Sequence, residues 1–252
     1  KCIIDPQHFI TEYCWIQHPT KGRLKFDLFD YQRGLLDSYH DNKYSIALIS
    51  RQMGKSTAAA AYLLWYAMFI PDQTILIAAH KYSGAQEIMQ RIRFAYELLP
   101  NFIRAGVTAY NKGSLEFDNG SRIIAQATTE NTGRGLSISM AYLDEFAFVR
   151  PTIAREFWTA LSPTLSTGGK CIITSTPNQD DDQFAQIWRE ANKTQDEFGN
   201  EKEIEDGLYM SDFQGISRDI NVNKNVKNIF ICNEYKSKIE WSGTNISISL
   251  NN

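Results

Sequence analysis

The chain has 252 residues, of which 43% are hydrophobic and 22% are charged, and its formal net charge is -3 at pH 7. This predicts a globular, soluble protein with one substantial core, and it argues against a membrane-spanning protein, because the longest apolar run, residues 58–70, is too short to cross a bilayer. The charge excludes a strongly basic protein, so any contact with nucleic acid must come from a local patch or from another domain.

Up to about residue 195, short apolar segments alternate with longer helical ones, a pattern typical of a parallel sheet flanked by helices. Four predicted strands are almost continuously apolar, as strands covered on both faces must be; they are residues 44–49, 74–79, 140–144 and 170–176. Residues 114–127 instead alternate around Asp118-Asn119-Gly120, which predicts a β-hairpin because Asn and Gly tolerate positive φ. We expect this hairpin at the edge of the sheet.

The longer segments predict helices. The apolar run 58–70 predicts a helix buried in the core, and residues 82–99 predict a second helix, with Ser83 as its N-cap and Pro100 just beyond its end. Further helices are predicted at residues 153–161 and 182–193. The acidic residues 180–182 are interpreted as solvated residues that cap the last helix rather than as metal ligands.

After residue 195 the sequence changes character and becomes rich in Asn, Ser, Lys and Ile. It contains no cluster of side chains suited to catalysis. The change predicts two regions: a domain of residues 1–195 and a divergent tail of residues 196–252.

The segment SRQMGKST, residues 50–57, joins the first apolar strand to the long apolar helix. A strand, a tight loop ending in Gly-Lys-Ser and a helix point backbone N–H groups at phosphate oxygens. Here Gly54 would let the backbone approach a phosphate, Lys55 would reach the β- and γ-phosphates, and Ser56 would bind Mg²⁺. Because Ile49 replaces the usual first glycine, a chance Gly-Lys-Ser at a strand end stays an alternative for the motif taken alone.

The run MAYLDEF ends a predicted strand with Asp144 and Glu145, as a P-loop ATPase requires on the strand neighbouring the P-loop strand. Adjacent side chains in an extended chain point in opposite directions, so the two carboxylates predict different roles at the end of the strand. Asp144 would hold Mg²⁺, directly or through water, and Glu145 would orient and deprotonate the water that attacks the γ-phosphate. A solvated acidic pair is the alternative.

Arg51 lies inside the loop, where two interpretations are equally open. Its side chain could simply face solvent, which is the default for an arginine. A cation this close to the phosphates could instead stabilise the transition state of phosphoryl transfer.

Five segments together resemble the large terminase subunit of T-even-like tailed phages, the ATPase that drives DNA into an empty capsid. They are FDYQRGLLDSYHDNKYSIALISRQMGKSTAAAAYLLWYAMF, AHKYSGAQEI, NKGSLEFDNGSRIIA, GRGLSISMAYLDEFAFV and IITSTPN. The resemblance covers about residues 5–195, and the loop typical of that family, SRQ[LM]GK[ST], also lacks the first glycine. It implies an α/β P-loop NTPase of the helicase and terminase type, with a mostly parallel central sheet, that binds ATP and Mg²⁺ and hydrolyses ATP.

The resemblance also assigns roles to single positions. Tyr31 and Gln32 match the motif that reads adenine, Arg51 matches an arginine proposed to act from within the loop, and residues 174–176 match the motif that senses the γ-phosphate. Arg134, flanked by two glycines, matches a loop that could present it to phosphate or DNA. The implied nucleotide-binding residues are Tyr31, Gln32, Ser50, Arg51, Gln52, Met53, Gly54, Lys55, Ser56, Thr57, Thr174, Ser175 and Thr176; the implied catalytic residues are Glu145 and Arg51, and the implied metal ligands are Ser56 and Asp144.

The implied partners are double-stranded DNA, contacted through its phosphates, a portal protein, a small terminase subunit and further copies of the chain in a ring. The implied location is the procapsid portal in the host cytoplasm, without a membrane. Nothing after residue 195 resembles the nuclease domain that follows in the family, so nuclease activity is not expected, and residues from about 205 onward are expected to lie outside the ATPase fold. A helicase-like DNA translocase and a truncated or split terminase that binds ATP without turnover stay open as alternatives.

Overall fold

The computed structural model describes residues 1–166, 168–178 and 182–191 in full, and it describes the backbone alone at 211–213, 228–230, 237–242 and 245–250. The helices are α1 (Pro6–Tyr13), α2 (Asp30–Asp41), α3 (Lys55–Phe69), α4 (Tyr82–Glu97), α5 (Pro151–Ser166) and α6 (Gln183–Ala191), and Phe146–Phe148 form a short 3-10 turn. The strands are β1 (Trp15–His18), β2 (Gly22–Lys25), β3 (Tyr44–Leu48), β4 (Thr74–Ala79), β5 (Val107–Tyr110), β6 (Ser114–Phe117), β7 (Arg122–Ala127), β8 (Met140–Asp144), β9 (Lys170–Ser175), β10 (Ser211–Phe213), β11 (Asn228–Phe230), β12 (Ser237–Ser242) and β13 (Asn245–Leu250). No helix in this described part is long and apolar enough to cross a bilayer.

Seven strands form the central sheet, in the order β3-β9-β8-β4-β7-β6-β5. The first five of these run parallel, and β6 and β5 continue the sheet with antiparallel pairing. The carboxyl ends of the five parallel strands therefore meet at one edge of the sheet, where residues distant in sequence come together. This confirms the predicted α/β class with a mostly parallel sheet.

Hydrophobic side chains pack on both faces of this sheet. One cluster contains buried side chains of α1 to α4, and the other contains those of α5 and α6. Strand β8 shows the division, because Tyr142 joins the first cluster and Leu143 joins the second. The sheet is thus covered on both sides, which explains why its parallel strands are almost continuously apolar.

The helix after the P-loop, α3, lies within the first cluster, and nearly every turn of it is buried. Trp65 is only 1% exposed, and its Nε1 donates a hydrogen bond of 2.6 Å to the carbonyl of Cys2. The predicted core helix is therefore confirmed, with its start at Lys55 rather than Ala58.

The strand that carries Asp144 is not the neighbour of the P-loop strand, contrary to the prediction. Strand β9 lies between β3 and β8 and pairs in parallel with both. Two strand spacings separate β3 from β8, about 10 Å, which a lysine side chain can bridge from the helix after the loop. Because all three strands are parallel, their carboxyl ends stay at the same edge.

Two smaller expectations are also wrong. The hairpin of β6 and β7 forms as predicted, with Gly120 at φ 83°, but the edge strand is β5, which was not predicted. Helix α4 has Lys81 as its N-cap without a side-chain hydrogen bond, so Ser83 lies within the first turn and does not cap it. The antiparallel pair of β1 and β2 was not predicted either.

Helix α6 agrees in part with the helix predicted at residues 182–193. Asp182 Oδ1 accepts a hydrogen bond of 2.7 Å from the Ala185 amide, so Asp182 caps α6 as expected, but it is buried rather than solvated. Residues 180, 181 and 192–193, to which the same helix prediction refers, lie outside the described residues.

In the tail, β10 pairs with β11 and β12 pairs with β13. The boundary at residue 195 lies in an undescribed range and stays a prediction.

Candidate active site

The loop between β3 and α3 turns through two residues of positive φ. Gln52 and Gly54 both take left-handed conformations, with φ of 64° and 72°. Left-handed residues within such a loop turn successive N–H groups toward a common anion. The amino end of α3 follows at once, and its first N–H groups have no partner within the helix.

The missing first glycine has a structural explanation. Ile49 is buried, its amide donates a hydrogen bond of 2.9 Å to the Ser175 carbonyl, and its φ is not positive. This position therefore extends the sheet and does not require the conformational freedom of glycine. The left-handed turn occurs three residues later, at Gln52.

Two side chains of α2 contact the backbone of the loop. The Tyr31 hydroxyl donates a hydrogen bond of 2.8 Å to the Met53 carbonyl, and Gln32 Nε2 lies 3.4 Å from the same oxygen. Gln32 Oε1 also accepts a hydrogen bond of 3.2 Å from the Phe29 amide. The predicted adenine-reading pair thus lies at the loop, where both side chains contact its backbone.

Gly54 leaves room for the Gln32 amide, which gives a sharp test of the loop. A β-carbon at Gly54 would lie 2.7 Å from Gln32 Nε2, whereas one at Gly22, with nearly the same φ of 70°, would meet nothing within 4 Å. We expect Gly54→Ala and Gly22→Ala each to lose about 1 kcal/mol of stability to backbone strain. Only Gly54→Ala should weaken nucleotide binding, by about tenfold, which corresponds to 1.4 kcal/mol.

The comparison is made by titrating a fluorescent ADP analogue into each variant, with chemical denaturation reporting stability. Equal nucleotide affinity in the two variants would show that contact between residue 54 and Gln32 does not matter for binding.

At the end of β8 the backbone turns sharply at Glu145. Asp144 is the last strand residue, and Glu145 takes a left-handed conformation with φ 50° and ψ 44°. A non-glycine residue in this region costs about 1–2 kcal/mol, so the surrounding contacts must hold it there. The turn lets both carboxylates face the P-loop, although they are adjacent in sequence.

Glu145 is held through both of its carboxylate oxygens. Lys55 Nζ, which is almost fully buried, donates to Oε1 in an ion pair. Oε2 accepts hydrogen bonds from the Thr176 amide at 3.1 Å and from the Thr176 hydroxyl at 3.0 Å. The carboxylate therefore connects the P-loop to the end of the strand between β3 and β8.

Asp144 contacts the other predicted metal ligand. Ser56 Oγ lies 3.2 Å from Asp144 Oδ1, and Thr174 Oγ1 donates to the same oxygen at 3.0 Å. Mg²⁺ prefers oxygen ligands and is commonly held by one or two protein groups together with waters and substrate phosphates. One carboxylate and one hydroxyl beside a phosphate-binding loop fit this chemistry.

The two carboxyl groups have opposite pKa shifts. Burial alone would raise the pKa of Glu145, but the hydrogen bond and charge of Lys55, with the donors of Thr176, outweigh burial and lower that pKa. The pKa of Asp144 is raised, because burial outweighs the hydrogen bond from Tyr142 and the charge of Lys55. Neighbouring carboxylates thus have different environments.

The other predicted residues differ in how closely they approach this centre. Ser175 Oγ accepts a hydrogen bond of 3.1 Å from the Ala147 amide and makes no hydrogen bond to Lys55, Asp144 or Glu145. Ser50 and Thr57 are half-buried beside the loop. Arg51 and Gln52 are exposed, and within the described residues Arg51 forms no ion pair. Arg134 is exposed between two glycines of positive φ.

A family model described as the N-terminal part of the T4-like large terminase subunit matches residues 46–251. The chain belongs to this terminase family. The matched span contains the P-loop, Asp144, Glu145 and residues 174–176, and it extends into the tail, while Tyr31 and Gln32 precede it.

Solved structures of other terminases share the fold of this terminase domain. A point mutant of the large terminase ATPase domain of Thermus phage P74-26 is 19% identical, with a TM-score of 0.57 and coverage of 82% of each chain. The bacteriophage HK97 large terminase is 21% identical, with a TM-score of 0.59, over 73% of this chain and 39% of its own. A large terminase of a thermophilic bacteriophage, in complex with ATP-γ-S, is 14% identical, with a TM-score of 0.51, over 66% of this chain and 42% of its own.

One residue of the candidate site is absent from those that the sequence predicts. Tyr142 lies two residues before Asp144, and its hydroxyl donates to Asp144 Oδ1 at 2.9 Å. The signal that could have found it is a polar side chain on the same strand face as Asp144, within an otherwise apolar strand.

Proposed function

We propose that this terminase domain hydrolyses ATP and thereby powers the movement of double-stranded DNA into a viral capsid. The observation that carries the proposal is the convergence of Lys55, Asp144 and Glu145 at one edge of the sheet, although about ninety residues separate them in sequence. An amine for phosphate oxygens, a carboxylate for a metal and a second carboxylate for water are the groups that phosphoryl transfer needs.

In the proposed mechanism, Lys55 first exchanges its partner. Its ammonium group leaves Glu145 and binds the β- and γ-phosphate oxygens of ATP, while the loop amides and the amino end of α3 bind the remaining charge. Glu145 then loses the cation that lowers its pKa, so it becomes a stronger base. Thr176 still holds the other carboxylate oxygen in place.

In the next step, Glu145 accepts a proton from a water molecule whose oxygen attacks the γ-phosphorus. The bond between that phosphorus and the bridging oxygen breaks, and ADP and inorganic phosphate are the products. Ser56 and Asp144 would hold Mg²⁺, which neutralises charge on the β- and γ-phosphates. Arg51 is proposed to stabilise the transition-state charge from within the loop, and Tyr31 and Gln32 to position the adenine.

The partners and location are proposed from the family alone. They are double-stranded DNA, a portal protein, a small terminase subunit and a ring of identical chains. The DNA would be contacted through its phosphates, so salt should weaken its binding. The site of action would be the portal of a procapsid in the host cytoplasm.

Phosphate release by the purified chain tests the proposal. We expect ATP hydrolysis that depends on Mg²⁺, and we expect Lys55→Ala to lower its rate constant by about 10² to 10³-fold, because a buried donor to the transferring group is lost. Lys21→Ala, which removes an exposed lysine in the turn between β1 and β2, should leave the rate unchanged. Background release by the intact chain and by both variants would support the alternative of an inert fragment.

A further inference from the structure

Strand β8 places a buried phenol in direct contact with the predicted metal ligand. Tyr142 has no exposed surface, and the other residues before Asp144 in the strand are Met140, Ala141 and Leu143. A buried hydroxyl is costly unless it has a hydrogen-bond partner, so phenylalanine would fill this position at lower cost if packing were the only requirement.

The hydroxyl of Tyr142 completes a three-membered network. It lies 2.9 Å from Asp144 Oδ1 and 2.9 Å from Thr174 Oγ1, and Thr174 Oγ1 lies 3.0 Å from Asp144 Oδ1. Two hydroxyl protons serve three oxygen–oxygen contacts, and an ionised carboxylate can only accept. The donors therefore converge on one carboxylate oxygen from the interior of the protein.

This convergence orients the carboxylate. All hydrogen bonds that the described residues make to the carboxylate of Asp144 end on Oδ1, including the 3.2 Å contact from Ser56 at the loop. The pairing of β8 with β9 sets Asp144 opposite Thr174, and the alternation of the strand puts Tyr142 on the same face as Asp144. The side chain is thus fixed at Oδ1, which leaves Oδ2 without a donor among the described residues.

We infer that Tyr142 is a positioning residue: together with Thr174 it holds Asp144 so that Oδ2 faces a divalent cation at the phosphates. This inference rests on the proposed function, since it assigns the cation to that same site. Groups that hold a metal ligand by hydrogen bonds are commonly worth 10- to 100-fold in metal affinity or activity. The network also connects the metal ligand to the strand end at residues 174–176.

The test is Tyr142→Phe, which keeps the ring and removes only the hydroxyl. Binding of a fluorescent ADP analogue is titrated with MgCl₂, and the same binding is measured in EDTA. We expect the Mg²⁺ concentration for half-maximal binding to rise by about tenfold, while affinity for the metal-free nucleotide stays that of the unmodified chain. A general loss of structure would weaken both kinds of binding.

Tyr62→Phe is the matched control, because this buried tyrosine of α3 also donates one hydrogen bond, at 3.0 Å to the Tyr39 carbonyl, away from the carboxylates. It should leave the Mg²⁺ requirement unchanged. Thr174→Val should shift the requirement in the same direction as Tyr142→Phe, and the double variant should shift it by less than the product of the two single effects.

An unshifted Mg²⁺ requirement in Tyr142→Phe, with normal Mg²⁺-dependent binding by the intact chain, would overturn this inference and leave the proposed function standing. If the intact chain shows no Mg²⁺-dependent nucleotide binding, the proposed function fails and this inference fails with it. Should Tyr142→Phe not fold, the same titration of Thr174→Val tests the network that holds Asp144, and an unshifted Mg²⁺ requirement in that variant would overturn the inference.

Discussion

Replacing Glu145 by glutamine is expected to lower the rate constant of ATP hydrolysis by about 10² to 10⁴-fold while nucleotide binding is retained. Glutamine has nearly the shape of glutamate but cannot accept the proton of the attacking water. The expected loss is therefore confined to the chemical step, and it appears in the rate constant under saturating ATP and in single-turnover phosphate release.

The hydrogen bonds of Glu145 predict a second effect of Glu145→Gln, this time on nucleotide binding. The carboxylate accepts from Lys55 on one oxygen and from Thr176 on the other, so both positions need an acceptor. A glutamine amide has only one acceptor oxygen and would place its NH₂ group against one of these donors. Glu145→Gln should thus release Lys55, and we expect nucleotide affinity to stay equal or to increase.

Glu156→Gln is the appropriate control, since Glu156 is an exposed glutamate on α5 and is not among the predicted site residues. It should hydrolyse ATP as the unmodified chain does. Hydrolysis by Glu145→Gln at the unmodified rate would mean that another group activates the water, and the assignment of Glu145 as the base would be wrong.

Replacing Trp65 by alanine is expected to lower the free energy of unfolding by about 3–5 kcal/mol, the range found for large aromatic residues in cores. Trp65 is 1% exposed, and the rings of His40, Tyr62 and Phe69 lie 5.4 to 6.3 Å from its own. The substitution also removes the hydrogen bond to the Cys2 carbonyl. A typical domain is stable by only about 5–15 kcal/mol, so the loss is a large part of the total.

Urea denaturation followed by circular dichroism measures this loss. Trp15→Ala is the matched control, because Trp15 is a half-buried tryptophan in the β1–β2 pair, where Arg23 and Lys25 lie over its ring. It should cost clearly less than Trp65→Ala. Equal losses in the two variants would contradict a core centred on α3.

Much of the fold follows from local patterns that need no tertiary information. The strands at residues 44–48, 74–79, 140–144 and 170–175 match the prediction to within one residue, because strands covered on both faces must be apolar along their whole length. Apart from the tail strands β10 to β13, which were not predicted, the strands missed are the short β1, β2 and β5. They lie outside the five parallel strands, and six of their twelve residues are exposed, so no continuous apolar run marks them.

The main residues of the candidate site could also be selected from the sequence. The loop ending in Gly54-Lys55-Ser56 and the pair Asp144-Glu145 each follow a strand, and parallel strands bring such residues to one edge.

What the sequence by itself determined is therefore the type of the elements that have a strong local pattern and the identity of the polar residues that follow the apolar strands, since both depend on local propensity and periodicity. The order of the strands was decided only in the tertiary structure, because β9 enters between β3 and β8 through packing between distant segments. The same holds for the partners of each polar group. Lys55 meets Glu145, and Tyr142 meets Asp144 and Thr174, because buried donors and acceptors must be satisfied by whatever the completed fold brings within reach.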